Sequence, residues 1–182
     1  ARQMLAFDPP DYGHLLGGGN AGTIGGIVAT NLSGPRRLTA GAARDYLLGF
    51  EAISGRGELF KSGGKVMKNV TGYDLSKLMT GSFGTLAVMD EITLKTLPCP
   101  ETSCSLVVQV EDFTAATKQI AALFATPHEP GSAAILPAKL AQETGVLASG
   151  APIACACACV IRLEGIAVSV ADRLAHLQKL TG

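Results

Sequence analysis

The residues best suited to chemistry here form a run of lean backbone. Gly22, Gly25, Gly26, Gly34, Gly41 and Gly49 sit among small and hydroxylated residues with few bulky side chains to fill a core. Glycine sacrifices conformational entropy on folding, so such density fits backbone that turns with positive φ or approaches a ligand closely. Thr23 is placed to cap a short helix over Ile24–Thr30, whose first amides would then be free to face an anion. The functional reading is a cradle for a nucleotide cofactor's phosphates; the plain alternative is a Gly-rich surface loop feeding a strand. Residues 68–86 form a second block, in which Gly81 and Gly84 flank Ser82 and Thr85 leads into a strand. Amides and hydroxyls lining one surface there would suit a planar or polyanionic ligand better than a metal; a helix C-cap followed by a tight turn explains the same residues without a ligand.

Other candidates are weaker. Gly17, Gly19 and Gly22 satisfy G-x-G-x-x-G, but Pro9 and Pro10 interrupt the approach where a dinucleotide fingerprint needs a strand. Arg36-Arg37 could meet a carboxylate, a phosphate or an acidic partner, although paired loop arginines are usually solvated. Arg44-Asp45 reads as an ion pair fixing a loop. Cys155, Cys157 and Cys159 alternate with alanines on one strand face and lack the paired spacing that grips zinc or iron–sulfur clusters, so they read as small core residues. His14, His128 and His176 are scattered, and none has a ligand partner at helical or H-x-H spacing. No nucleophile elbow, P-loop lysine or pair of catalytic carboxylates stands out. Any chemistry must rest mainly on a cofactor.

The elements that would position these residues change character at Pro98-Cys99-Pro100, taken as a domain boundary. Before it, residues 46–53 and 58–61 read as a hairpin, 74–79 as a short helix stopped by Gly81, and 85–97 as a long strand with room for a bulge. After it come a strand over 104–110, a helix over 114–124 capped by Asp112, a strand over 133–136, a helix over 138–147, a strand over 155–163 and a helix over 168–180. Phe113, Ile120, Leu123 and Phe124 are the expected anchors of the first helix, and Val168, Ala171, Leu174, Ala175 and Leu177 those of the last. This alternation predicts a small α/β sandwich of split βαβ type.

Fifteen basic and fifteen acidic residues cancel in a chain of 182, and no basic block argues for nucleic acid or anionic lipid. Charged residues make up only 16%, fewer than is typical, which fits an exterior partly covered by a partner. No run of about 18 apolar residues suggests a membrane span. An odd count of five cysteines without framework spacing points to a reducing compartment. The opening Ala-Arg-Gln-Met is neither an initiator nor a signal segment, so a processed or truncated piece is expected.

Together the two blocks resemble a known family. Residues 23–31, Gly41 before Arg44-Asp45, Lys68-Asn69, Gly72-Tyr73-Asp74-Leu75, Leu78 and Gly81-Ser82-x-Gly84-Thr85-Leu86 are similar to the FAD-binding domain of FAD-linked oxidases in the vanillyl-alcohol-oxidase superfamily. The variants at residues 33–37 and 66–69 look most like the FAD-binding E-type subunits of glycolate oxidases. The resemblance is dense over residues 3–100 and fades to a general similarity over 101–182. It implies an α+β fold in which residues 1–100 are the second half of a two-subdomain FAD-binding domain, followed over 101–182 by a partial α/β-sandwich cap domain. The N-terminal βαβ subdomain of the family is absent from the sequence. By resemblance Gly22, Thr23, Gly25, Gly26, Ala29, Thr30 and Asn31 lie along the pyrophosphate and flavin. Gly81, Ser82, Gly84 and Thr85 form the other wall, with the Val88 backbone near the adenine.

The implied activity is FAD-dependent oxidation of glycolate or another 2-hydroxy acid. The implied partners are a catalytic FAD-linked sibling subunit and an iron–sulfur subunit, and the implied location is cytoplasmic, peripheral to the inner face of the membrane through those partners. No histidine pair is available to hold a substrate-site metal, no metal site is expected, and the catalytic residues stay unassigned. With half of the cradle missing, the chain by itself is expected to hold little or no FAD and to be inactive. A D-lactate or other 2-hydroxy-acid dehydrogenase subunit and a cofactor-free scaffold subunit remain the alternatives.

Overall fold

The computed structural model describes residues 2–13, 22–66, 72–147 and 156–181, which fall into two compact units, Ala1–Cys99 and Pro100–Gly182. The Gly17 and Gly19 positions, His14, Lys68-Asn69 and Cys155 lie outside the described residues.

In the first unit the chain runs through strand β1 (Gln3–Met4), helix α1 (Ile24–Thr30), helix α2 (Arg37–Ala40), a 3-10 turn (Ala43–Asp45), strands β2 (Leu47–Ser54) and β3 (Leu59–Gly63), helix α3 (Leu75–Met79), and strands β4 (Ala87–Leu94) and β5 (Leu97–Pro98). Strand β2 lies between β3 and β4, antiparallel to both; β1 pairs with β5. The predicted hairpin turn is closed by Gly57 N–H donating to Ser54 O at 2.9 Å, with Gly57 at φ +78°. Where β2 and β3 cross most closely, a Cβ on Gly49 would strike the Gly64 amide and one on Gly63 the Leu48 carbonyl, so both positions require glycine. The β2–β4 register shifts between Leu47 and Gly49 and again between Glu51 and Ala52, which realises the expected bulge. Val28 of α1 and Met79 of α3 cover one face of this sheet, packing with Phe50, Ala52 and Ala87. A second cluster joins Ala6, Phe7, Ala43 and Tyr46, with the Tyr46 hydroxyl donating to Ala40 O at 2.7 Å.

The second unit contains β6 (Thr102–Val110), α4 (Phe113–Phe124), β7 (Ser132–Pro137), α5 (Ala138–Glu143), β8 (Cys157–Gly165) and α6 (Ala167–Thr181). The sheet order is β6-β8-β7 with both outer strands antiparallel to β8, so β6 and β7 run parallel with β8 inserted between them. Cys157, Cys159, Ile161 and Leu163 of β8 are buried under α4 and α6; burial pushes the Cys159 thiol up, with Cys157 adding to the shift. Cys157 and Cys159 are core residues, as their spacing indicated; Cys155 lies outside the described residues. Asp112 caps α4 by accepting from Ala115 N at 2.7 Å.

Several expectations need correction. Phe113 is the first residue of α4 and is exposed, while Ala116 and Leu123 are buried. In α6 the buried stripe is Val170, Leu174 and Leu177; Val168 is 80% exposed, and Ala171 and Ala175 also face out. Apolar residues occupy two helical phases there, and the phase with the larger combined side chains faces the sheet. Helix α5 stops at Glu143, before the expected residue 147, with Gly145 at φ +72°. No helix among the described residues is long and apolar enough to cross a membrane.

Candidate functional site

Thr23 makes the predicted cap: its hydroxyl accepts from Gly26 N at 3.1 Å, and Ile24 and Gly25 precede the first intrahelical donor. At the far end Asn31 adopts the left-handed conformation at φ +52°, and the Asn31 and Leu32 amides donate to Val28 O and Ile27 O. Asn31 also has a second task, because its Oδ1 accepts from Arg44 N at 3.0 Å, while Ser33 Oγ accepts from Ala43 N at 3.0 Å. These two side chains pin the 3-10 turn. Asp45 contributes by accepting from Ala42 N at 2.9 Å, so this loop is fixed by side chain-to-backbone bonds in place of the expected Arg44–Asp45 ion pair.

The two glycine-rich blocks meet. Gly81 N donates to Val28 O at 3.1 Å and Phe83 N to Ala29 O at 2.8 Å, laying the loop after α3 against the carbonyl end of α1. A Cβ on Gly81, which has φ +82°, would stand 3.4 Å from Asn31 Cβ. Ala29, Thr30, Asn31, Gly81, Ser82, Gly84 and Thr85 therefore lie near this junction, while Gly25 and Gly26 lie about 4–6 Å from Ala29 along the helix axis, at 1.5 Å per residue, and Gly22 and Thr23 precede the helix. Val88 stands apart from that surface. On β4 it pairs with Ile53 of β2 and is 67% exposed, whereas Ala87 turns into the core beneath the helices. Among the described strands β4 is an edge, so one row of its backbone groups points away from β2.

Most hydroxyls of the wall already have a bond. Thr30 Oγ1 donates to Gly26 O at 2.7 Å and Thr85 Oγ1 to Ser82 O at 2.6 Å. Ser82 Oγ is buried without a partner, an uncommon state for a polar group. The glycines give a parallel signal. A Cβ on Gly25 would meet only Ile92 Cδ1 at 3.9 Å and Thr23 Oγ1 at 4.0 Å, and one on Gly22 or Gly84 would meet nothing within 4 Å. Packing inside the unit does not require glycine at Gly22 or Gly25, although glycine weakens a helix. Bare amides, an unpaired hydroxyl and the exposed apolar side chains of Ile24, Phe83 and Leu86 together form a surface suited to a ligand bearing phosphates and a flat ring system. These residues fit a flavin nucleotide.

Elsewhere, Arg36 lies against Met4, its Nη1 3.4 Å from the sulfur. His128 and His176, far apart in sequence, stack with ring centroids 5.2 Å apart. Linear spacing carried no trace of that pair. No group of three or more metal-ligating side chains is assembled among the described residues.

Comparison with known proteins agrees with the geometry. Residues 11–63 match the FAD binding domain family. The chain is 51% identical over 106 residues to glycolate oxidase subunit GlcE of Escherichia coli strain K12, covering 58% of this chain and 29% of that protein. It is 37% identical over 126 residues to glycolate oxidase subunit GlcD of Bacillus subtilis strain 168, covering 69% of this chain and 26% of that protein. To a D-lactate dehydrogenase of Archaeoglobus fulgidus it is 43% identical over 97 residues, 53% of this chain and 20% of that one. The matched stretch thus spans less than a third of these relatives. A solved alkyldihydroxyacetonephosphate synthase shares the fold over 98% of this chain and 34% of its own, with TM-score 0.71 and 17% identity. Residues 11–63 carry an FAD-binding-domain sequence, and over the stretch it shares with them the chain is a relative of FAD-linked oxidases.

Proposed function

We propose that the protein is an FAD-dependent oxidoreductase subunit acting on a 2-hydroxy acid, with glycolate the first candidate. The observation that carries this reading is the wall where α1 meets the loop at Gly81: Gly22 and Gly25 are bare there although packing does not require it, and Ser82 Oγ is buried without a partner. In this reading the amides of Ile24 and Gly25 face the pyrophosphate, Gly22 and Gly26 let it approach, and Ser82 Oγ donates to a cofactor oxygen. Ala29, Thr30, Asn31, Gly81, Gly84 and Thr85 shape the adjoining surface, and the β4 edge at Val88 offers backbone groups. Thr23 holds the first turn of α1 in place, and Asn31 keeps the wall and the 3-10 turn in register. A flavin held by these residues would supply two-electron oxidation of the hydroxyl-bearing carbon.

The first unit then corresponds to the second half of a two-subdomain FAD-binding domain, and the second to part of a cap. In this reading the residues described here supply one side of the cofactor site. Similarity to two glycolate oxidase subunits supports assembly with a sibling subunit; a catalytic role for that sibling, an iron–sulfur subunit and a cytoplasmic complex peripheral to the membrane are further parts of the proposal. The test is anaerobic mixing of the FAD-loaded intact protein, with its sibling subunits, with glycolate or D-lactate. Bleaching of the flavin band by glycolate supports the reading, and faster bleaching by D-lactate reassigns the substrate. Complex formation without flavin uptake would leave a scaffold subunit.

A further inference from the structure

A cleft of about 280 Å³ opens in the first unit between the 3-10 turn, the ends of β2 and β3, and the start of α3. Its exposed lining includes Arg44, Tyr73 and Lys77, and its deeper lining includes Leu48, Ser62 and Leu75. That volume lies at the small end of ligand sites and suits a molecule of few heavy atoms. The charges within it are unequally committed. Asp74 accepts from Lys77 N at 3.1 Å and pairs with Lys77 Nζ at 3.1 Å, while Asp45 is held by the Ala42 amide. The Arg44 guanidinium makes no direct hydrogen bond with any described residue; its backbone is fixed by Asn31, and its charge acts at longer range on the Asp74 carboxylate across the cleft. An anchored backbone that carries a planar cation free of direct hydrogen bonds over a small, mainly polar cleft can receive one carboxylate, which guanidinium grips through two parallel bonds.

The cleft also adjoins the glycine wall on two sides. Asn31 ends α1 and bonds Arg44, and α3, only about 7 Å long at 1.5 Å per residue, runs from the cleft into the loop at Gly81. We propose that this cleft binds a small hydroxycarboxylate, its carboxylate on Arg44 and its hydroxyl within reach of Ser62 and Tyr73. The assignment of that ligand as the enzyme's substrate rests on the reading given under Proposed function.

The test has two arms. In the first, the 182-residue chain is titrated with sodium glycolate and, separately, with neutral ethylene glycol, following the Arg44 side-chain and Lys77 backbone resonances by ¹H–¹⁵N NMR. Glycolate is expected to shift both with a Kd of about 1–10 mM, as one charge-assisted pair at an exposed site gives, and ethylene glycol to shift neither. The exposed, unbonded Arg44 side chain makes R44Q a variant that keeps the fold, and it should weaken binding by about tenfold or more. No glycolate-dependent shift, or equal shifts in R44Q, overturns the site. In the second arm, R44Q in the FAD-loaded intact protein should raise KM for glycolate with flavin content unchanged; an unchanged KM overturns its role with substrate. Flavin that glycolate never bleaches, alongside intact cleft shifts, would instead refute the oxidoreductase reading and leave the carboxylate site standing.

Discussion

Replacing Gly25 with alanine separates what the fold needs from what a cofactor needs. The added Cβ would rest 3.9 Å from Ile92 Cδ1 and 4.0 Å from Thr23 Oγ1, both ordinary van der Waals separations. Gly25 lies in α1 with negative φ, so alanine is compatible with the backbone. Alanine restricts the unfolded chain and favours helix, which together stabilise by about 0.4–1 kcal/mol, with the lower end expected in a first turn. For a unit of this size that amounts to a rise in Tm of about 2–6 °C. The same methyl would stand on the surface proposed to receive the pyrophosphate. We therefore expect G25A to melt higher by calorimetry and, in the intact protein, to bind FAD at least about tenfold more weakly, equivalent to about 1.4 kcal/mol. A lower Tm would refute the packing argument. An unchanged FAD affinity would refute the claim that this glycine is kept for close approach of a ligand.

Substitutions at three further positions test the supports of each unit. N31G keeps the left-handed cap but loses the acceptor for Arg44 N, and should cost about 1 kcal/mol in urea unfolding, whereas N31A loses both and should cost about 2. R173M removes a guanidinium that donates to Glu164 O at 2.6 Å, His128 O at 3.2 Å and Glu129 O at 3.4 Å, and should destabilise the second unit by about 2–3 kcal/mol; a loss below about 0.5 kcal/mol would show that water replaces it freely. At Asp74 desolvation alone would raise the pKa, but hydrogen bonds and charge from Lys77, aided by Arg44, hold the carboxyl below its usual range. Its contribution is therefore present above the unfolded pKa and lost as pH falls through the lower folded value. D74N, which retains a cap acceptor, should flatten the acid limb of the stability–pH curve below about pH 4.

Local signals were legible in the sequence because their causes are local. Thr23 and Asp112 cap the helices that follow them, and the turn after Ser54 closes with Gly57 in the left-handed region. The meeting of residues 22–31 with residues 81–85 was foreseen only through family resemblance, since it depends on Gly81 and Phe83 reaching α1 carbonyls across some fifty residues of chain. Helix phase was illegible in α6 because Val168, Ala171 and Ala175 form a second apolar stripe beside Val170, Leu174 and Leu177. The Arg44 cleft and the His128–His176 stack were missed for a related reason. Each joins residues that no linear spacing connects, and charge at Arg44 gives no sign that Asp45 will turn to the Ala42 amide.

The central claim is that α1 and the loop after α3 form one cofactor-binding surface. Hydrogen–deuterium exchange of the intact protein with and without FAD tests it most directly. Protection of residues 22–31 and 81–85 together on adding FAD is the predicted result. Protection confined to other segments, with these two exchanging as before, would contradict it.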